Sequence, residues 1–233
     1  MKNRPIPKLS ADQKSMVRDL VLYENEFLIA FNKPSGLAVQ TRGNRGTSLD
    51  FLLWAFARSN GKRPHLVHRI DAGTSGLILA AKTKPAMRAL SAEFAERRVR
   101  KSYLALVSGD LPEGEAGRCE VPLLKTGRSV TPGRVEQGAD TARTDWTIQT
   151  RANPFAAILA RPHTGRMHQI RAHLAALGCP ILGDPIYGAG ALTADRLMLH
   201  AAKLEITLPN QKDLTLEAPG PSDFEDKRRS LGL

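Results

Sequence analysis

Hydrophobic positions along the chain switch repeatedly between a period of two and a helical period. DLVLYE and FLIAFNKPSGLAV, separated by a short turn, read as paired strands, the second broken by Pro34 and Gly36. In TSLDFLLWAFARSN the spacing turns helical: Leu49, Leu52, Leu53 and Phe56 recur at that period, and Thr47 or Ser48 can cap the helix. HLVHRI and GLILAAK are strand-like runs flanking a loop at Asp71. KPAMRALSAEFAERRVR is amphipathic, with a basic C-terminal end that suits a helix dipole. KSYLALVSGD alternates as a strand, whereas residues 110–140, rich in Gly and charge, predict only short strands. ARTDWTIQTR and FAAILARP make a further strand pair joined by Ala152–Pro154. TGRMHQIRAHLAALG carries the strongest helical pattern: Thr164 is its expected cap, Ile170, Leu174 and Leu177 form a stripe, and Gly178 ends it. LMLHAAKLEITLP and DLTLEAP read as a closing hairpin around Pro209–Asn210.

Strands and helices interleave, yet several strands are joined too tightly for parallel crossovers. The pattern therefore predicts an α+β fold with a mixed, largely antiparallel sheet flanked by helices. Residues 1–18 are polar and read as a loose arm, residues 19–220 as one domain, and residues 221–233 as a charged, frayed tail. MKNRPIPKLSADQKS has no apolar h-region, and no apolar run approaches the roughly 20 residues of a membrane span. Cys119 and Cys179 form neither a disulfide framework nor a C-x-x-C pair, which fits a reducing cytosol. A cytoplasmic protein without membrane contact is expected. The net charge of +11 predicts a polyanionic partner, most simply nucleic acid.

Several chemistries can be weighed from spacing. His163, His168 and His173 are five residues apart, so on a helix they point about 140° away from one another. His65 and His68 lack a carboxylate or Cys pattern nearby, and no metal site is expected. Gly183 to Gly188 has phosphate-loop spacing, but Ala189 stands where Lys is required; Gly188 and Gly190 lack the third glycine of a dinucleotide fingerprint. A serine hydrolase built on Ser75, His68 and Asp71 fails the G-x-S-x-G pattern at Leu77, and triad members normally converge from separate elements.

Asp71 remains. A turn aspartate commonly bonds nearby amides, but Asp71 shares its loop with His68 and Arg69. A second basic segment, Arg166 to Arg171, lies on the strongest helix. There His168 and Arg171 stand at i, i+3 beside the apolar stripe. A buried arginine on that face needs a carboxylate, for which Asp71 is a reasonable partner; a solvated helix-face arginine is the alternative. A nearby cation offsets the desolvation of a carboxylate, and an ionised carboxylate in a dry pocket can act as nucleophile or base.

HRIDAGTSGLILAAK closely resembles the H-R-L-D-x-x-T-S-G-L motif of RluA-type RNA pseudouridine synthases. NKPSGLAV, RKSYLALVSG, RPHTGRMHQIRAHLAALGCPILGDPIYG and LHAAKLEI resemble further segments of that family, in its order, and the likeness covers roughly residues 20–217. It implies the pseudouridine synthase catalytic fold with a central cleft. The implied reaction detaches uracil from its ribose within an RNA chain, turns it and rejoins it through carbon 5, with no cofactor and no metal. On the matched positions Asp71 is the essential carboxylate, which attacks the sugar or removes a sugar proton. Tyr103 stacks on the uracil and assists loss of the carbon 5 proton, and Arg171 is the basic partner of the aspartate. Arg69 enters the base stack as the uridine leaves it. His68, Thr74, Arg166, His168 and Gln169, within the matched motifs, are expected to bind the substrate RNA. The expected partner is rRNA or tRNA, bound by a monomer.

Two departures stand out: Ile70 replaces a leucine, and Ala72–Gly73 replace a more polar pair. Residues 1–18 are too short for the N-terminal RNA-binding domain of many relatives, so RNA binding is expected from the catalytic domain. Arg97, Arg98, Arg100 and Lys101, with Lys62 and Arg63, are the expected phosphate contacts, against the alternative of a solvated charged face. A noncatalytic RNA-binding protein retaining the fold is the rival class.

Overall fold

Seven consecutive buried residues, Ser75–Ala81, form the strand about which the fold is organised. A run buried on both faces reads as continuous rather than alternating hydrophobicity. The computed structural model describes residues 7–41, 47–188 and 194–233. The elements in order are α1 (Ala11–Asp19), β1 (Val21–Glu24), β2 (Leu28–Lys33), α2 (Leu49–Leu52), β3 (His65–Leu66), β4 (Ser75–Ala81) and α3 (Lys84–Ala95). There follow β5 (Arg100–Ser108), β6 (Ala116–Cys119), β7 (Leu123–Thr126), β8 (Ser129–Pro132), β9 (Thr144–Ala152), β10 (Phe155–Pro162) and α4 (Gln169–Ala176). The chain closes with β11 (Leu199–Thr207), β12 (Asp213–Glu217) and α5 (Ser222–Ser230).

Ten strands make one sheet in the order β1-β2-β4-β11-β5-β10-β9-β6, with β3 on β4 and β12 on β11, while β7 and β8 form a separate hairpin. The β4–β11 pair is parallel and the other named pairs are antiparallel. The α+β architecture with a mixed, largely antiparallel sheet is thus the one the sequence predicts. The parallel contact is short, His200 against Ser75 and Ala201 against Gly76. Gly76 is required there: its φ is +106°, and a Cβ would lie 2.3 Å from the Ala201 carbonyl oxygen.

Two apolar cores flank this crossing. One gathers β2 and β4 with α1, α2 and α3; the other gathers β5, β9 and β10 with α4 and α5. Tyr103 packs against both, so a side chain on β5 sits where the two halves of the sheet meet.

Four local expectations are corrected. Residues 11–19 are a helix, not a loose arm: Ser10 and Gln13 form a capping box, and Val17 is fully buried. Residues 1–6 of that arm lie outside the described residues, as do Ala189 and Gly190 of the rejected phosphate-loop comparisons. The charged tail is likewise a helix, because Phe224 is fully buried and Arg196 pairs with Asp223. The helix at Leu49 is short: Ser48 caps it as expected, and a 3-10 turn over Leu53–Phe56 ends it. Finally, α4 begins at Gln169 rather than Thr164, because Thr164 and the Arg166 amide both donate to Gln169 Oε1 and fold the preceding residues into a turn.

Candidate active site

The loop between β3 and β4 is shaped by a side chain that takes over from the strand ladder. Val67 N–H donates to the Leu79 carbonyl, but the Leu79 N–H donates to His68 Nε2 at 3.0 Å. The ring in place of a backbone acceptor ends the pairing and frees the chain to turn at Arg69. The His68 ring also stacks on Phe94, with centroids 4.3 Å apart. Burial, with Lys101 nearby, depresses its pKa to about 3, so it is a neutral support.

Asp71 begins the turn that leads into β4, and the Thr74 N–H donates to its carbonyl. A second clamp comes from the N-K-P-S-G segment. Lys33 is fully buried, and its ammonium group donates to the carbonyls of Pro34, Leu37 and Ala72 at 2.8–2.9 Å. Ser35 Oγ donates to the Gly73 carbonyl at 2.7 Å, and Gly36 N–H to that of Ala72. Ala72 and Gly73 are therefore held through their backbone oxygens, which accounts for side chains being dispensable there.

Arg171, on the first turn of α4, is 5% exposed and reaches two carboxylates. Its Nε and Nη2 donate to the two oxygens of Asp184 at 2.8 and 2.7 Å, and its Nη1 donates to Asp71 Oδ2 at 3.1 Å. Burial works against the guanidinium charge, but the bonds to Asp184 outweigh it and raise its pKa. Burial would likewise raise Asp184, yet Arg171 and the amides of Ile186 and Tyr187 hold it below the usual range. The expectation that Asp71 is the carboxylate partner of Arg171 is thus met by one bond of three. The bidentate partner is Asp184, which spacing did not reveal; it lies in the quoted G-D-P-I-Y-G segment, whose only signal is that likeness. Gly183 before it has φ +68°, and a Cβ there would lie 1.9 Å from the Arg196 carbonyl oxygen.

Asp71 Oδ1 has no hydrogen-bond partner among the described residues, and Asp71 lines a cleft of about 570 Å³. Tyr103 and Lys101 of β5, Phe94 and Arg97 at the end of α3, and His168 and Arg166 form its walls. Burial, and secondarily Asp71, push the Tyr103 hydroxyl up, so it is a neutral phenol. Arg69 is exposed at the rim. His168 stands in front of α4 in a left-handed conformation, 3.8 Å from Asp71 Oδ2.

The structure therefore brings together Asp71, Tyr103, Arg171, His168 and Arg69. Three other predicted residues are drawn into support. Gln169 is buried, its amide donating to the Arg143 carbonyl and Thr144 Oγ1. Arg166 donates to the Thr141 carbonyl and pairs with Asp140 at 3.2 Å while lining the cleft. Thr74 is buried behind the loop. Of the expected phosphate contacts, Arg98 is engaged by Glu93 and Arg63 by Asp50, whereas Arg97 and Lys101 line the cleft. Ser75 is fully buried with its hydroxyl 3.0 Å from His200 Nδ1, so it is no nucleophile. His163 meets Asp145 and His173 meets Thr144; among the described residues no cluster could hold a metal ion, and no helix is long and apolar enough to cross a membrane.

A carboxylate held by an arginine in a cleft that a tyrosine also lines, on a sheet of this order, defines a class. The model of the RNA pseudouridylate synthase family matches residues 27–176. The chain is 36% identical over 211 residues to the dual-specificity RNA pseudouridine synthase RluA of Escherichia coli, covering 88% of this chain and 94% of that one. It is 36% identical over 236 residues to the ribosomal large subunit pseudouridine synthase C of Vibrio parahaemolyticus, covering 94% of this chain and 71% of that one. The solved structure of human RNA pseudouridylate synthase domain containing 4 superposes with a TM-score of 0.80 at 25% identity, covering 95% of this chain and 97% of that chain. The chain belongs to the RNA pseudouridylate synthase family and is an RNA pseudouridine synthase.

Proposed function

We propose that the protein isomerises specific uridines in structured RNA, ribosomal or transfer, through Asp71. The observation that carries this is the division of Asp71's two oxygens: Oδ2 is tied to Arg171, whereas Oδ1 has no hydrogen-bond partner among the described residues, in a side chain that lines the cleft. A carboxylate so held presents one oxygen to a ribose, either to attack C1′ or to remove the C2′ proton. Tyr103, protonated and facing the same cleft, stacks on the uracil and assists proton loss from carbon 5. Arg69, at the rim, occupies the base stack when the uridine is turned out. The name of one relative, a ribosomal large subunit enzyme, supports ribosomal RNA as a substrate class, and that of another, a dual-specificity RNA enzyme, supports action on more than one RNA site. RNA is the partner, without membrane or small-molecule cofactor, and the enzyme acts as a cytoplasmic monomer.

Release of tritium from RNA labelled at carbon 5 of uridine tests the reading. Wild type releases label and Asp71→Asn does not; equal release by both would remove Asp71 from the mechanism. Mapping pseudouridine across total RNA with and without the protein identifies the uridine.

A further inference from the structure

We propose that His168 is a further catalytic residue: its Nε2–H donates to uracil O2 and takes up charge there as the glycosidic bond breaks. This rests on the reading that Asp71 acts on a uridine in the cleft.

The hydrogen bonds around Tyr187 point to the nitrogen that carries the proton. Val130 N–H donates to the Tyr187 hydroxyl oxygen at 2.9 Å. The same hydroxyl lies 3.1 Å from His168 Nδ1. With one of its lone pairs engaged, Tyr187 has its own O–H to give, and Nδ1 is the acceptor in reach. A neutral imidazole that accepts at Nδ1 carries its proton on Nε2. The two rings stand nearly perpendicular, at 84°, and Arg171 lies over the face of Tyr187 at 5.2 Å, so the tyrosine is itself fixed.

That Nε2–H has nothing to donate to within the protein. Asp71 Oδ2, at 3.8 Å, is beyond hydrogen-bond reach, and no other acceptor is within range among the described residues. The histidine is also held in a strained backbone, φ 52° and ψ 21°, which a residue with a Cβ adopts at a cost of about 1 kcal/mol or more. An oriented donor, unpaired and placed beside the carboxylate by a strained residue, is arranged for a group that arrives with the substrate. Burial lowers its pKa against the pull of Asp71, with Arg171 acting in the same direction as burial, so the ring stays neutral and does not collapse into an ion pair with Asp71.

The reaction supplies such a group. If Asp71 attacks, its oxygen bonds to C1′ as the C1′–N1 bond breaks. If it takes the C2′ proton, the C2′–H pair becomes a C1′–C2′ double bond as the same bond breaks. In both cases the C1′–N1 electron pair leaves on uracil and spreads onto O2 and O4. O2 flanks N1, so it lies closest to C1′ and to a donor beside Asp71. No proton is transferred: His168 stabilises the anion by hydrogen bonding, and the interaction weakens again once carbon 5 has bonded to C1′.

A cycle on a stem-loop with one target nucleoside labelled at carbon 5 tests this. The target is uridine, 2-thiouridine or 2′-deoxyuridine, and the enzyme is wild type or His168→Ala. The alanine variant should lose about a hundredfold in kcat with KM little changed. Wild type should lose a similar factor on 2-thiouridine, whose sulfur is a poor acceptor. The two losses should not multiply when combined, whereas those of His168→Ala and 2′-deoxyuridine should. Multiplying losses at 2-thiouridine, or non-multiplying losses at 2′-deoxyuridine, overturn the proposal alone. No label release by wild type overturns the Asp71 reading and the proposal with it. His168→Asn accepts the left-handed backbone but ends short of Nε2, and takes the place of the alanine variant should that one not fold.

Discussion

Arg171 and Asp71 are joined by a single hydrogen bond of 3.1 Å between residues a hundred positions apart in sequence. The arginine does not depend on that bond. Its other two contacts go to Asp184, which is fully buried, and those two fix the plane of the guanidinium. Asp71 is thus aimed by a cation that is already neutralised, so the buried partner of Arg171 and the proposed catalytic carboxylate are different residues.

Asp184→Ala should therefore cost about 3–5 kcal/mol in urea unfolding, the usual consequence of removing one partner from a buried pair. Asp71→Ala should cost no more than about 1 kcal/mol, since that side chain is 30% exposed and its loss leaves Arg171 paired. Label release should vanish in the second variant even though the fold is kept. Similar unfolding costs for the two would refute the separation.

Lys33 gives a prediction with a defined pH window. Its three protons are matched by three carbonyls, yet burial lowers its pKa from 10.5 to about 8, with Asp71 opposing and Arg196 assisting. Between those values the unfolded chain holds the proton and the folded protein does not, so stability from this group rises as pH increases from about 8 to 10.5. The difference amounts to about 3 kcal/mol over the whole window. Denaturant midpoints of wild type and Lys33→Met are compared near neutrality and near pH 10: the midpoint of wild type minus that of the variant should become more positive at the higher pH. A difference that stays constant or becomes more negative would show that the lysine is not destabilised by burial.

Gly76→Ala tests the crossing of β4 and β11. The added methyl would meet the Ala201 carbonyl oxygen at 2.3 Å and its nitrogen at 2.7 Å, on a backbone with φ +106°. A loss of more than about 2 kcal/mol in thermal unfolding is expected, because strain and overlap combine. An unchanged melting temperature would mean that the strands do not approach as described.

Much of this fold could be read because burial leaves a period in the sequence. GLILAAK became the doubly covered β4, and the antiparallel pairs followed from strands too tightly joined for crossovers. Helices anchored by one apolar residue left no period: Val17 and Phe224 each hold a helix that reads as polar chain. That Asp71, Tyr103 and Arg171 share one cleft was legible because a motif marked each of them. It was not legible where function depends on who meets whom. Nothing in local spacing shows that Asp184 takes two of the three bonds of Arg171, that His68 substitutes for a backbone acceptor, or that the Tyr187 hydroxyl meets His168 Nδ1.

Arg69 separates recognition from chemistry. It is exposed on the loop that carries Asp71 and makes no ion pair among the described residues. If its guanidinium fills the gap left by a turned-out uridine, its contribution is the cost of unstacking, a few kcal/mol in a structured RNA and little in a short single strand. Arg69→Ala should then lose roughly 10- to 100-fold in kcat/KM on a stem-loop and much less on an unstructured oligonucleotide bearing the same target. A simple phosphate contact predicts a different result: comparable losses on both substrates and a shallower dependence of affinity on salt. Measuring both substrates at two salt concentrations decides between them, and equal losses would remove the stacking role.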